Sequence, residues 1–284
     1  MTQQTIAFIG GGNMATSLIA GLIADGFDPA GVIVSEPDAL KRQSLETRFG
    51  TRSTLTNAEA LAFADTLVLC IKPQVAAAVC RDLANRLQRP LPLIISVMAG
   101  ICEHSIQDWL GAPIPVVRAM PNTPVMMQAG AIGLHASTEV SLEQRNQAET
   151  ILRAGGLIRW VDEEPLIDVV TALSGSGPAY FFLLMEAMEQ AASELGLDGE
   201  TARLLTIQTA LGAARMAMES VDPPQVLRER VTSPGGTTEQ AMEVFREGSF
   251  RDLVRRAIGA AKRRAETLSE ELANGHGDPR HHVI

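Results

Sequence analysis

The spacings in this chain that suit chemistry lie in glycine turns. Gly10-x-Gly12-x-x-Ala15 follows the short apolar run Ile6–Ile9 and precedes a helical pattern in which Met14, Leu18, Ile19 and Leu22 share one face. Strand, glycine turn and helix in that order suit the pyrophosphate of a dinucleotide. Gly10 permits the tight turn, Gly12 lets the anion approach the backbone, and Ala15 keeps the helix close to the strand. Unpaired N–H groups at the helix start, together with its dipole, favour negative charge there.

Two further clusters lie in the second half. Thr232-Ser233-Pro234-Gly235-Gly236-Thr237-Thr238 gathers hydroxyls, two glycines and a helix start into one turn, which suits a carboxylate. Gln240, three residues after Thr237, fits a capping box, so a plain capped turn is the alternative. Ser174-Gly175-Ser176-Gly177-Pro178-Ala179-Tyr180 reads as the opening of a long helix, with Pro178 first and Ser176 or Gly177 as the cap. Its glycines allow close approach of a ligand, with Ser176 as a substrate contact, or of another helix.

The residue types that are scarce narrow the chemistry. Lysine occurs only at 41, 72 and 262, and no histidine lies in the helical segments that follow Pro165 or beside the glycine turns. The His–Asp pair of a hydroxy-acid dehydrogenase and the helix lysine of a β-hydroxyacid dehydrogenase have no evident counterpart. Reducing a carbonyl needs a proton donor for the developing alkoxide. A protonated imine already carries the charge that attracts hydride, so the residue set favours reduction of a C=N bond.

The elements that must position these turns alternate strand and helix up to about residue 164. Apolar runs at 6–9, 32–34, 66–71, 93–97 and 116–118, a weaker one at 51–54, and later ones at 130–135 and 157–161 read as strands of a parallel, doubly wound sheet. Lys72-Pro73, Met98-Ala99-Gly100 and Pro121-Asn122-Thr123-Pro124 follow the carboxyl ends of such strands, the edge where an open α/β sheet binds its ligand. Ser35-Glu36 ends the second strand, where ribose hydroxyls are read. A carboxylate there would bond the 2′-hydroxyl of NAD and repel the 2′-phosphate of NADP. Lys41 and Arg42 on the next helix would partly answer that repulsion, or else form a solvated helix face.

From Pro165 the patterns are helical throughout, at 179–195, 201–219, 225–230, 238–246 and 250–272. The second of these is small or apolar on more than one face, which calls for burial by a second copy of the chain. The expected organisation is a dinucleotide-binding domain at 1–164, a helical substrate-binding and dimerisation domain at 165–274, and a disordered polar tail at 275–284. His276, His281 and His282 are read as part of a loose tail, and no metal site is expected.

Composition agrees. A chain of 284 residues suits two domains, and a net charge of −9 argues against nucleic acid or an anionic membrane as partner. No apolar run reads as long enough to span a bilayer, and no targeting signal is visible. Three cysteines in or beside apolar segments fit reduced thiols and a cytoplasmic location.

In order along residues 6–272, the segments IGGGNMA, IKP, SVMAGI, RAMPNTP, ALSGSGPAY and TSPGGTT resemble pyrroline-5-carboxylate reductase. The last two are the most specific. The resemblance implies a Rossmann domain, an all-helical domain that interlocks with a second subunit, and a homo-oligomer of at least two chains. It implies hydride transfer from NADPH or NADH to the C=N carbon of 1-pyrroline-5-carboxylate, giving L-proline as the last step of proline biosynthesis. Under it, Gly12, Asn13 and Met14 hold the pyrophosphate and Asn57 meets the adenosine ribose. Lys72 and Pro73 with Asn122 line the nicotinamide side. Ser233, Gly235, Gly236 and Thr237 hold the substrate carboxylate, and Thr238 bonds the ring nitrogen as the catalytic contact. Glu36 departs from the neutral or basic residue of many relatives, which leaves the choice between NADPH and NADH open. The rival readings are a β-hydroxyacid-type dehydrogenase, which the missing lysine disfavours, and a non-catalytic nucleotide-sensing module.

Overall fold

A computed structural model describes residues 4–273; the polar tail expected at 275–284 lies outside the described residues. Packing divides the chain into two units. One holds the described residues up to Ser176 together with Ala261 onward, and the other is Gly177–Ala260.

The first unit is built on one eight-stranded sheet of order β3-β2-β1-β4-β5-β6-β7-β8. Its strands are β1 (Ile6–Ile9), β2 (Val32–Ser35), β3 (Arg52–Thr54), β4 (Thr66–Leu69), β5 (Leu93–Ser96), β6 (Val116–Met120), β7 (Gly130–Ala136) and β8 (Gly156–Trp160). Between them run α1 (Asn13–Ala24), α2 (Ala39–Phe49), α3 (Asn57–Phe63), α4 (Pro73–Ala84), α5 (Glu103–Leu110) and α6 (Leu142–Arg153). β1, β2, β4 and β5 are buried at every position, as their unbroken apolar runs require of strands covered on both faces. The alternation of β1 shows the two layers directly. Ile6 and Phe8 pack with Leu18 and Ile19 of α1, whereas Ala7 and Ile9 pack with Ala76 and Cys80 of α4.

β1 to β6 pair in parallel, but β7 pairs antiparallel to β6. The all-parallel expectation fails here because residues 121–129 hold only the short 3-10 turn Thr123–Met127. A parallel crossover needs a dozen or more residues, usually with a helix. α6 supplies one between β7 and β8, and those strands are parallel again.

The start of the helical half also differs from the sequence reading. α7 (Leu166–Val170), a π-helical turn at Thr171–Gly175 and α8 (Gly177–Glu194) form one continuous run, with Ser176 N–H donating to Thr171 O across five residues. Pro178 does not open a helix there, and neither Ser176 nor Gly177 is an N-cap. Pro178 has no N–H to give the Ser174 carbonyl, and the Asn122 side chain supplies that donor instead, at 3.0 Å. Because the run is unbroken, Leu166–Glu194 is long and apolar enough, by length and composition alone, to cross a bilayer, a property the shorter expected helix lacked.

The second unit holds α8, α9 (Gly199–Glu219), α10 (Pro224–Arg230), α11 (Thr237–Glu247) and the start of α12 (Phe250–Ala273). Ser249, in the left-handed region at φ 53, turns the chain between α11 and α12. α9 buries only Ala202 and Thr206 within this chain, and Phe181, Phe182, Leu183, Leu204 and Leu205 stand exposed.

Candidate functional site

The glycine turn has the geometry its spacing suggests. Gly10 sits at φ +98, and a Cβ there would meet the Cys70 carbonyl oxygen at 2.5 Å, so only glycine fits. Gly12 caps α1 with no side-chain hydrogen bond, and a Cβ built on it meets nothing within 4 Å. The space before the helix is therefore open. The first backbone bond runs from Thr16 N–H to Gly12 O at 2.9 Å, which leaves the N–H groups of Asn13, Met14 and Ala15 free for an anion. An open cradle with three aligned donors fits a dinucleotide pyrophosphate. Asn13 is exposed, Met14 half-buried and Ala15 fully buried.

At the end of β2, the Ser35 hydroxyl donates to Asn57 Oδ1 at 2.7 Å, joining two sequence-predicted residues across β2 and the start of α3. Glu36 is only 6% exposed. Its Oε2 accepts from Gly11 N–H at 2.8 Å and its Oε1 from Asp38 N–H at 3.0 Å, so the carboxylate ties the glycine turn to the β2 exit. It is not part of a solvated face.

On the other side of β1, Lys72 caps α4 in an extended conformation and is exposed, with Pro73 at the first helical position. Asn122, after β6, is buried; its amide donates to Ser174 O and its Oδ1 accepts from Ala131 N–H at 2.9 Å. Gly175 lies where a Cβ would meet Met120 Cε at 2.7 Å, so this glycine serves close packing. The residues Gly10–Met14, Ser35, Glu36, Asn57, Lys72, Pro73 and Asn122 all lie at or just after the carboxyl ends of β1, β2, β3, β4 and β6, one edge of the parallel sheet.

In the second unit, Gly236 rather than Thr237 caps α11, and no side-chain cap bond forms. The capping box with Gln240 is therefore absent. Glu239 reaches back instead, accepting from Gly235 N–H at 2.7 Å, while Gly236 N–H donates to Ser233 O at 3.0 Å. The first α11 backbone bond is Gln240 N–H to Gly236 O. The N–H groups of Thr237, Thr238 and Glu239 thus have no helical acceptor, and the hydroxyls of Ser233, Thr237 and Thr238 have no recorded partner among the described residues. Gly235 adopts φ +71, the left-handed conformation this turn needs. A carboxylate, that of Glu239, already sits on one donor of this loop.

Sequence reasoning missed a buried charge cluster beside β6 and β7. Arg118, with its side chain 4% exposed, pairs with Glu164 at 3.2 Å and with Asp168 of α7 at 3.1 Å. Opposite it in register, His135 Nδ1 lies 2.7 Å from Glu103 Oε1, and Glu164 also accepts from Glu103 N–H. Burial pushes the Glu103 carboxyl above its ordinary value, partly opposed by the His135 bond. A charged residue inside an otherwise apolar strand was the available signal. The cluster anchors α7, and through it the turn that carries Ser174. A cleft of about 430 Å3 opens beside it, lined by Glu103, His135, Arg145 and Trp160 among others.

Comparison with known proteins places this geometry. Residues 5–100 match the family described as NADP oxidoreductase coenzyme F420-dependent, and residues 164–268 match pyrroline-5-carboxylate reductase dimerisation. A pyrroline-5-carboxylate reductase of Pseudomonas aeruginosa is 52% identical over 272 residues, covering 96% of this chain and 99% of that one. The chain belongs to the pyrroline-5-carboxylate reductase family. A solved pyrroline-5-carboxylate reductase from Coxiella burnetii superposes with a TM-score of 0.91 at 47% identity, covering 94% of this chain and 99% of that one. A Plasmodium falciparum pyrroline carboxylate reductase, solved with NADP bound, superposes with a TM-score of 0.83 at 26% identity, covering 95% and 99%. The Rossmann-type sheet with its helical C-terminal half is thus the fold of pyrroline-5-carboxylate reductases, and the chain is an NAD(P)-dependent oxidoreductase of that family.

Proposed function

We infer that this chain reduces the C=N bond of 1-pyrroline-5-carboxylate to L-proline with NADPH or NADH. The observation that carries this reading is the identity of 52% across almost the whole of both chains with a pyrroline-5-carboxylate reductase. The donor geometry of the two glycine turns supports it.

In this reading the uncapped N–H groups of α1, with Gly10, Gly12, Asn13 and Met14, hold the pyrophosphate. Ser35 and Asn57 form the ribose end, with Glu36 bracing the glycine turn beside them, and Lys72, Pro73 and Asn122 form the nicotinamide end. Bound there, the dinucleotide supplies the hydride. Ser233, Gly235, Gly236 and Thr237, with the free N–H groups that open α11, hold the substrate carboxylate. The Thr238 hydroxyl bonds the ring nitrogen and fixes the ring, and Ser176 is a further substrate contact. A protonated imine already carries the charge that attracts hydride, so side chains have positioning to do rather than proton transfer.

The helical half, from Pro165 onward, serves as the dimerisation domain, and a second copy covers the apolar faces of α8 and α9. A cytoplasmic location suits the three free thiols. Burial raises Cys80 to about 12, and Cys70 higher still, which keeps both unreactive. The test is a product assay: loss of reduced nicotinamide absorbance matched mole for mole by proline. Nicotinamide loss without proline, or neither, would end this reading.

A further inference from the structure

At the carboxyl ends of β2 and β3, the carboxylates are turned onto the protein's own donors. Both Glu36 oxygens accept backbone N–H groups, at 2.8 and 3.0 Å. Asp38 caps α2 through the N–H groups of Leu40 and Lys41, and Glu59 accepts from the Thr54 hydroxyl. Donors are left beside them without an acceptor. Because Ser35 gives its proton to Asn57 Oδ1, the Asn57 amide keeps its NH2 free. Arg42 donates through Nη1 to the carbonyls of Glu36 at 2.6 Å and Pro37 at 2.9 Å, which pins its guanidinium at the β2 exit. Its Nε and Nη2 groups have no recorded acceptor among the described residues.

Resting on the dinucleotide reading above, we infer that Arg42 makes this chain prefer the 2′-phosphorylated dinucleotide, and that Glu36 is a positioning residue for the glycine turn. A carboxylate selects NAD by accepting from the ribose 2′-hydroxyl, which requires an oxygen facing the ligand. At 6% exposure, and with each oxygen accepting from a backbone N–H, Glu36 is committed to the glycine turn and to the start of α2. Its Cβ and Cγ also lie 3.2 Å from where a Gly11 Cβ would stand, so it shapes the turn as well as bonding it. An arginine at this strand end is the complementary device, because its planar fork forms paired, charge-assisted bonds with a phosphate. The two carbonyls that hold Nη1 fix the fork in place before any ligand arrives, and Asn57 adds a neutral donor nearby. The half-buried Arg42 is thus built into the β2 exit, whereas its neighbour Lys41 is exposed.

The test is calorimetric titration of the full chain with 2′,5′-ADP and 5′-AMP, which differ in the 2′-phosphate alone, alongside NADPH and NADH. The wild type binds the 2′-phosphorylated member of each pair more tightly. Arg42→Gln reduces that preference by about tenfold or more, the worth of one charge-assisted contact, and Arg42→Lys keeps part of it. Glu36→Gln weakens all four ligands together and leaves the ratio within about threefold. The inference falls if the wild type prefers the ligands lacking the phosphate, or if both Arg42 variants leave the ratio unchanged. It also falls if Glu36→Gln alone raises the ratio about tenfold. Binding of none of the four would instead remove the dinucleotide reading itself, and this inference with it.

Discussion

Asn122 donates its side-chain amide to the Ser174 carbonyl at 3.0 Å, and that carbonyl is the one Pro178 leaves without a helical donor. The same side chain accepts from Ala131 N–H, so one amide closes two backbone gaps in the loop after β6 and in the π-helical turn. Asn122→Ala leaves a part-buried carbonyl and a part-buried N–H unpaired. The expected loss of stability is about 1–3 kcal/mol, read as a lowered midpoint in urea with an unchanged slope. Asn122→Asp keeps the acceptor but removes the donor, and is expected to fall between the two.

What was legible in the sequence was local. The β1–Gly10–α1 turn declares itself because strand, glycines and helix are consecutive, and the Thr232–Thr238 loop because its composition is concentrated in one turn. The bonds that complete these features come from far along the chain. Pro178 suggests a helix start until Asn122, 52 positions from Ser174, supplies the missing donor. Glu36 looks like a ribose reader until Gly11, 25 positions earlier, claims its oxygen. The antiparallel turn of β7 was hidden because an apolar run carries no direction; only the short link before it does.

Glu103 sets an expectation for pH. Burial raises its folded-state carboxyl above the unfolded value near 4.5, so between the two the native state holds the extra proton. Stability contributed by this group is fully present below pH 4.5 and is lost as pH rises through the raised value. Chemical denaturation from pH 5 upward should therefore show wild type losing ground steadily to Glu103→Gln. A difference that stays constant with pH would show that the carboxyl ionises as it does in the unfolded chain.

The exposed apolar residues of α8 and α9 predict self-association. Light scattering at assay concentrations should give a mass of two chains or more. Paired substitutions such as Phe182→Glu with Leu205→Glu should lower both mass and activity. A fully active monomer would contradict the dimerisation role.

Thr238→Ala should cost one or two hydrogen bonds of transition-state stabilisation, about tenfold to a few hundredfold in kcat/KM, without abolishing turnover. Gly236→Val should be worse. A Cβ there stands 3.0 Å from the Ser233 carbonyl oxygen, and the branched side chain crowds the donors that open α11.

The most direct test compares kcat/KM for 1-pyrroline-5-carboxylate and for 1-pyrroline, which keeps the C=N bond but lacks the carboxylate, under identical NADPH. If the loop at Ser233–Thr238 anchors the substrate by its carboxylate, the parent should be favoured by about a hundredfold, the worth of one or two charge-assisted hydrogen bonds. Equal reduction of the two, or reduction of neither, would contradict the account.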